Sequence, residues 1–247
     1  MTTEEKAFLD ELESLRRDSE GCIQYWYTLS SIRLAAHKHQ GVKTRLDNDW
    51  LFWNTVSSSL QVSTFIAMGR VFDQNSPHNI DRLIGNAQRN IKIFSREALE
   101  RRKIEGSPNA PEWIDEYMLS TYEPCQEDFR KLRKHIKRYR AIYESNYRDI
   151  RHKVYAHKEV IDDHEVAQLF AVTNIKEMQK MMIFLKRIHE CLWQLFYNGR
   201  KPVLRPMRHS VENIFKQAES NYHGSTIQER ITLSTKNVLL ALASQNA

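Results

Sequence analysis

Apolar residues recur at every third or fourth position along most of the 247-residue chain, the spacing that gathers them on one face of an α-helix. Over residues 4–38 the step is carried by Leu12, Leu15, Cys22, Ile23, Trp26 and Leu29, with Arg16, Arg17, Asp18 and Glu20 between them. Thr2 followed three residues later by Glu5 is a capping-box pattern that starts this helix, and Gly41 supplies its stop. A second helix is predicted from about Asp47 to Asp73, with Trp50, Trp53, Val56, Leu60, Phe65, Met68 and Phe72 on its apolar side. Ser57, Ser58 and Ser59 interrupt it with small side chains that would admit a close neighbour. Arg70 and Asp73, three apart, can face each other as an ion pair.

The run from Gln74 to Asn79 reads as a turn, and Asn79 as the N-cap of a short helix through Arg89. Ser95 opens another short helix that ends in Arg101-Arg102-Lys103. Glu105 to Pro111 is the clearest loop, and Pro111 suits the first turn of a helix reaching about Ser120. The longest periodicity runs from about 124 to 158: Phe129, Leu132, Ile136, Tyr139, Tyr143, Tyr147, Ile150 and Val154 step by three or four, and His157 falls on the next step. Asp162 and Asp163 mark a turn. A helix over about 174–198 carries Ile175, Met178, Met182, Leu185, Ile188, Leu192 and Phe196. Gly199, Pro202 and Pro206 form a linker, and two helices near 209–220 and 226–243 follow.

Long amphipathic helices in series predict an all-α fold, a bundle of four long antiparallel helices with additional short ones. The expected organisation is a bundle over residues 1–200, with short helices and loops inserted at 74–122, and a C-terminal helical extension at 201–247 packed on it. Composition agrees: only 7 Gly and 6 Pro are present, too few for the frequent turns of an all-β chain. The net charge of +6 permits a polyanionic partner without establishing one. Cys22, Cys125 and Cys191 are scattered and odd in number, as expected of buried free thiols in a reducing compartment. The acidic, amphipathic N-terminus does not read as a signal peptide, and no apolar run approaches about 18 residues. The expectation is a cytoplasmic protein with no membrane association.

Several chemistries lack their residues. No phosphate-cradling glycine loop, H-E-x-x-H or C-x-x-C pair is present, so neither a metal nor an organic cofactor is expected. What stands out is charge. Between Arg130 and Arg140, the residues Arg130, Lys131, Arg133, Lys134, Lys137, Arg138 and Arg140 cover the face opposite the apolar stripe. Like charges at i,i+4 repel by a few tenths of a kcal/mol per pair. A stripe tolerated at that cost reads either as a solvated face or as a surface for phosphates.

At the end of the same periodicity stands RDIRHKVYAHK, Arg148 to Lys158. Arg151 offers a fixed cation with forked donors suited to a phosphate. His157 titrates near neutrality and suits proton transfer. RNA cleavage needs both a proton-transfer group and positive charge on the phosphorane-like transition state. On an ideal α-helix, six steps place the two residues about 120° apart. They converge only if the helix distorts near Tyr155–Ala156, or if a two-fold copy supplies a complementary set. On its own stripe His157 also reads as a hydrogen-bonded core histidine.

The segment RHKVYAH resembles the signature of HEPN domains: an arginine, a polar residue, further intervening residues and a histidine. With its flanks RDIRHKVYAHKE, and with MGRVFDQNSPHNIDRLIG from Met68 to Gly85, it resembles the AbiU-type branch associated with abortive infection; the resemblance covers roughly residues 10–200. It implies an all-helical protein, commonly a homodimer whose motif helices meet, and in many members a metal-independent endoribonuclease serving as a toxin or in antiviral defence. Other members bind RNA or a partner protein without cleaving. Carried onto this chain, Arg151 and His157 would be the active pair and His152 the polar position that orients them. That position is more often asparagine in the family. Arg148 and Lys153, with Arg133, Lys137 and Arg140 of the stripe, would contact RNA. Some HEPN toxins have an antitoxin partner, and nothing in this chain identifies one.

Overall fold

A computed structural model describes residues 1–105, 111–156, 162–217 and 226–244. Among these residues all regular structure is helical, and the fold is all-α. Helix α1 runs Thr3–Lys38, α2 Gln40–Asn48, α3 Trp50–Phe72, α4 Ile80–Arg89, α5 Arg96–Ile104, α6 Ile114–Leu119, α7 Gln126–Asn146, α8 Asp163–Ala171, α9 Ile175–Asn198, α10 Val211–Phe215 and α11 Ile227–Ser244. A 3-10 turn occupies Ile91–Phe94 and a π-helical segment Ile150–Ala156. None of the helices is long and apolar enough to cross a membrane among the described residues.

The caps form as their residue types dictate. At the start of α1 the Thr2 amide donates to Glu5 Oε2 at 2.8 Å and the Glu5 amide to Thr2 Oγ1 at 3.3 Å, a reciprocal pair. Asn79 accepts from the Arg82 amide, and Ser95 from the Ala98 amide. Boundaries and burial depart from the sequence pattern at several points. The first helix stops at Lys38 rather than at Gly41: His39 turns extended, at φ −129° and ψ 107°, and Gly41 sits in the first turn of α2. Helix α2 itself was not anticipated; it buries Val42. On α3, Trp50 is 64% exposed with Leu51 and Phe52 beside it, so the buried stripe is complete only from Phe65 onward. Ser57 is half-buried, and Ser58 and Ser59 face solvent. Helix α8 was read as a turn, and the 124–158 helix is broken, as described below. Cys22 and Cys191 are buried thiols as expected, whereas Cys125 is exposed. The loop expected at 105–111 lies almost wholly outside the described residues.

The chain divides into two compact units. The first comprises Met1–Arg17, Arg70–Ser145 and Phe184–Pro206. Its interior is aromatic: Phe8 packs edge-on to Phe94 at 5.0 Å between ring centres and against Phe196 at 5.3 Å, and Phe94 meets Phe129 at 5.6 Å. Tyr139 stacks on Phe184 at 4.1 Å. Charge is also buried in this unit: Glu5, fully buried, accepts from Arg102 Nη1 and Arg101 Nη2 at 2.6 Å each. Arg102 also donates to the carbonyls of Ile93 and Phe196 and lies 4.0 Å over the Phe196 ring. Burial alone would raise the Glu5 carboxyl. The Thr2 amide and the two guanidinium groups outweigh it and hold the group below the ordinary carboxylate range.

The second unit comprises Asp18–Gly69, Asn146–Ile183 and Met207–Ala247. Ile32, Ala35, Val42, Phe215 and Leu239 form one of its apolar clusters, so α10 and α11 are part of its core. Lys236 closes the end of α10 by donating to the Phe215 carbonyl at 3.0 Å. Tyr27, buried by the same unit, donates to the His209 carbonyl at 2.7 Å.

Candidate functional site

The described part of the RDIRHKVYAHK stretch lies in the second unit, and from Ile150 to Ala156 its backbone is π-helical. Helix α7 ends at Asn146, Tyr147 is a turn residue, and from Ile150 to Ala156 the chain winds as a π-helix. The break is pinned by side chains. Tyr147, fully buried, donates its hydroxyl to Glu177 Oε1 at 3.0 Å and accepts from the Asn174 amide at 3.3 Å. Asn146 donates to the same Glu177 oxygen at 2.9 Å. Burial is the main cause that pushes the Tyr147 phenol far above its ordinary range, so it stays a neutral donor.

The aromatic contacts explain the winding. Phe65 of α3 meets Tyr147 at 6.2 Å, Tyr155 at 5.3 Å and Phe170 of α8 at 6.2 Å. Tyr147 and Tyr155 are eight residues apart, and eight ideal α steps would leave them about 80° out of line. An i→i+5 helix turns less per residue and removes part of that offset, so both rings reach Phe65. Burial raises the Tyr155 phenol, against the opposing influence of Gln61 and Arg33. The distortion expected near Tyr155–Ala156 is already present from Ile150.

This winding places Arg151 across α3 at Gly69. A Cβ built on Gly69 would lie 2.9 Å from Arg151 Cζ and closer still to Cδ and Nε. Gly69 is thus the residue that leaves room for the guanidinium stem, a role invisible in the MGRVFD stretch because Arg151 lies 82 positions further along the chain. Arg151 Nη1 donates to His152 Nε2 at 3.0 Å. Both residues are half-buried.

The remaining candidates fall in different places. Arg148 is exposed. Lys153 donates to Glu165 Oε1 of α8 at 3.0 Å. Helix α8 carries Asp162 as its N-cap, accepting from the Glu165 amide at 2.7 Å; D-x-x-E at 162–165 was the signal that would have found it. His157 lies outside the described residues. Arg133, Lys137 and Arg140 belong to the first unit, on α7. Arg133 and Lys137 are exposed, with Arg133 passing close to Gly85. Arg140, only 16% exposed, pairs with Asp81 and, at 3.7 Å, with Glu144.

Together the residues near Gly69 supply a half-buried, oriented guanidinium with an imidazole on it. Such a pair can receive an anionic oxygen through the forked donors of the arginine. Among the described residues no group of three or more His, Cys, Asp or Glu side chains gathers as for a metal ion. A family model described as AbiU2, of the HEPN group, matches residues 5–222. No curated protein and no solved structure matches the chain.

Proposed function

Because the chain belongs to the AbiU2 family of HEPN proteins and is an abortive-infection-related HEPN module, we propose that it is a metal-independent endoribonuclease acting through Arg151, His152 and His157 as a homodimer. The observation that carries this reading is the seat of Arg151, held over Gly69 and hydrogen-bonded to His152 on a π-helical turn. Such turns recur at functional sites. RNA brings its own nucleophile. In the proposed reaction the 2′-hydroxyl loses its proton, its oxygen forms a bond to phosphorus, and the bond from phosphorus to the 5′-oxygen breaks as that oxygen gains a proton. His157 moves a proton in this step, and Arg151 neutralises charge on the non-bridging oxygens. His152 orients Arg151. Arg148 and Lys153 hold flanking phosphates, and Arg133, Lys137 and Arg140 extend the contact along the strand.

The test is cleavage of total RNA by purified protein with a chelator present. His157→Ala and Arg151→Ala abolish cleavage and growth inhibition while leaving the helical circular-dichroism signal intact. Equal cleavage by wild type and His157→Ala overturns the reading. A second reading, a HEPN module that binds RNA or a partner protein without cutting, is favoured by the engagement of Lys153 with Glu165 and of Arg140 with Asp81. It requires both alanine variants to match wild type in RNA turnover, with charge reversal at Arg133 and Lys137 weakening binding.

A further inference from the structure

The first unit carries a basic cleft that the Arg/His motif does not use. Its volume is about 560 Å³, and it lies between α6, with the residues just after it, and the stretch that follows α9. Arg200, Lys201 and Arg205 line it. All three are exposed, and among the described residues none is paired with a carboxylate. The acidic residues on the α6 side, Asp115, Glu116 and Glu123, do not line it. The charge of the cleft is therefore one-sided and attracts an anionic partner. Aliphatic surface stands beside these cations. Val203, in the lining, is 55% exposed, and Leu119, between the lining residues Tyr117 and Ser120, is 82% exposed. The rings on which a base would stack are taken up within the fold: Lys201 lies 5.3 Å over Tyr122, Lys103 lies 5.3 Å over Tyr117, and Trp113 meets Tyr117 edge-on at 5.6 Å. Cations beside exposed aliphatic side chains suit a peptide that is both acidic and apolar.

The walls are held by the fold itself. Gly199 turns the chain out of α9 at φ +56°, and a Cβ there would lie 2.7 Å from Leu99 Cδ2 and 2.8 Å from Thr121 Cβ. Only glycine satisfies both the left-handed turn and the space. The Tyr122 amide donates to the Gly199 carbonyl at 2.7 Å and joins the two sides. Beyond Gly199 the chain is not helical. The Val203 amide donates to the Lys201 carbonyl at 2.9 Å, a tight turn at Pro202 that sets Val203 between Lys201 and Arg205. Arg187 donates to the carbonyls of Arg205, at 2.6 Å, and of Leu204, which fixes the far end. The amides of Leu204 and Arg205 donate to no acceptor among the described residues. Open amides on a fixed, non-helical stretch can pair with the carbonyls of an incoming chain.

We infer that this cleft docks an acidic segment of a partner protein, with carboxylates on Arg200, Lys201 and Arg205 and an apolar side chain against Val203 and Leu119. Arg200 and Arg205 are five positions apart, so a segment of about six to eight residues spans them. The test is fluorescence anisotropy on the full chain with labelled synthetic peptides of about eight residues. In the first, glutamate alternates with leucine. In one control glutamine replaces glutamate, and in the other serine replaces leucine. The Glu/Leu peptide binds at one site per chain, at least roughly tenfold more tightly than either control. The double variant Arg200→Gln/Arg205→Gln weakens it by at least roughly tenfold. Leu119→Ser/Val203→Ser weakens it by at least about threefold and leaves the salt dependence unchanged, which separates the apolar contact from the charged one. All four side chains are exposed, so both variants keep the helical circular-dichroism signal. Absence of Glu/Leu peptide binding at low salt overturns the inference, as does binding that the arginine variant leaves intact. Equal binding of either control also overturns it, because the partner then needs no carboxylate or no apolar side chain. Tighter binding of a single-stranded RNA of about ten nucleotides than of the peptide, lost in the same arginine variant, makes the cleft part of a strand path and overturns it as well. None of these outcomes depends on ribonuclease activity.

Discussion

Two arginines, one in each unit, show how differently the same side chain is held. Arg102 is sealed: its side chain is 8% exposed, and it spends its donors on the buried Glu5 carboxylate and on two carbonyls while its plane covers Phe196. Arg151 is half-buried and rests on the space left by a glycine, with His152 as one hydrogen-bond partner. A guanidinium answered by a buried carboxylate and carbonyls does structural work. One laid across a glycine on a π-helical turn, and still partly open to solvent, is placed by shape as well as by charge. The difference teaches that charge content alone does not locate a site. Arg101-Arg102-Lys103 is as basic a run as the motif stretch, yet its middle residue closes a core.

The sharpest way to break the comparison is to remove the carboxylate. Glu5→Ala strands the buried Arg102 and is expected to lower stability by about 3–5 kcal/mol, read as a fall in the urea midpoint. A loss below about 1 kcal/mol would show that Arg102 is not sealed as described. Next, Gly69→Ala tests the seat of Arg151. Helix propensity alone would stabilise the variant by about 0.5–1 kcal/mol. The clash with Arg151 should reverse the sign, to a loss of about 1–3 kcal/mol, and reduce RNA cleavage to the level of Arg151→Ala. A variant that is both more stable and fully active means the arginine finds its place without the glycine.

The pH dependence follows from Glu5. Its folded pKa lies below its unfolded value, about 4.3, so its contribution is complete above that value and is lost as pH falls below it. Midpoints measured between about pH 5 and pH 3 should fall more steeply in wild type than in Glu5→Gln. Glu13, held near 2 by hydrogen bonds from Arg16 and Arg17, bends the same curve at lower pH in both proteins. The smallest effect is expected from Glu165→Gln, which removes the partner of Lys153 at a partly exposed pair. A change of about 0.2–1 kcal/mol that vanishes in high salt is the expected outcome.

Local rules made much of the molecule legible. The capping pairs at Thr2, Asn79 and Ser95 form as read, because a cap needs only residues three positions apart. Phe129, Leu132, Ile136 and Tyr143 share one face of α7 because a 3.6-residue period needs nothing beyond the helix itself, and packing then buries that face. Helix α8 was overlooked although its Asp162–Glu165 signal was present, because the two aspartates were read as a turn. The exposed Trp50 shows the opposite failure, since an apolar residue at helical spacing is buried only if something packs there.

By itself the sequence determined the helical class, the caps, the apolar faces and the motif that places the chain among AbiU2 proteins. What tertiary structure decided is where continuity breaks and what each charge meets. The step from Tyr147 to Tyr155 looks like unbroken α periodicity, and the π-helical turn becomes visible only where both rings meet Phe65, 82 positions before Tyr147 in the chain. Glycine at position 69 reads as a helix defect until Arg151 is laid across it. Periodicity and capping depend on neighbours a few residues away, which any stretch of sequence displays. The winding of Ile150–Ala156 and the seat of its arginine depend on side chains brought together from distant positions, and that meeting exists only in the folded chain.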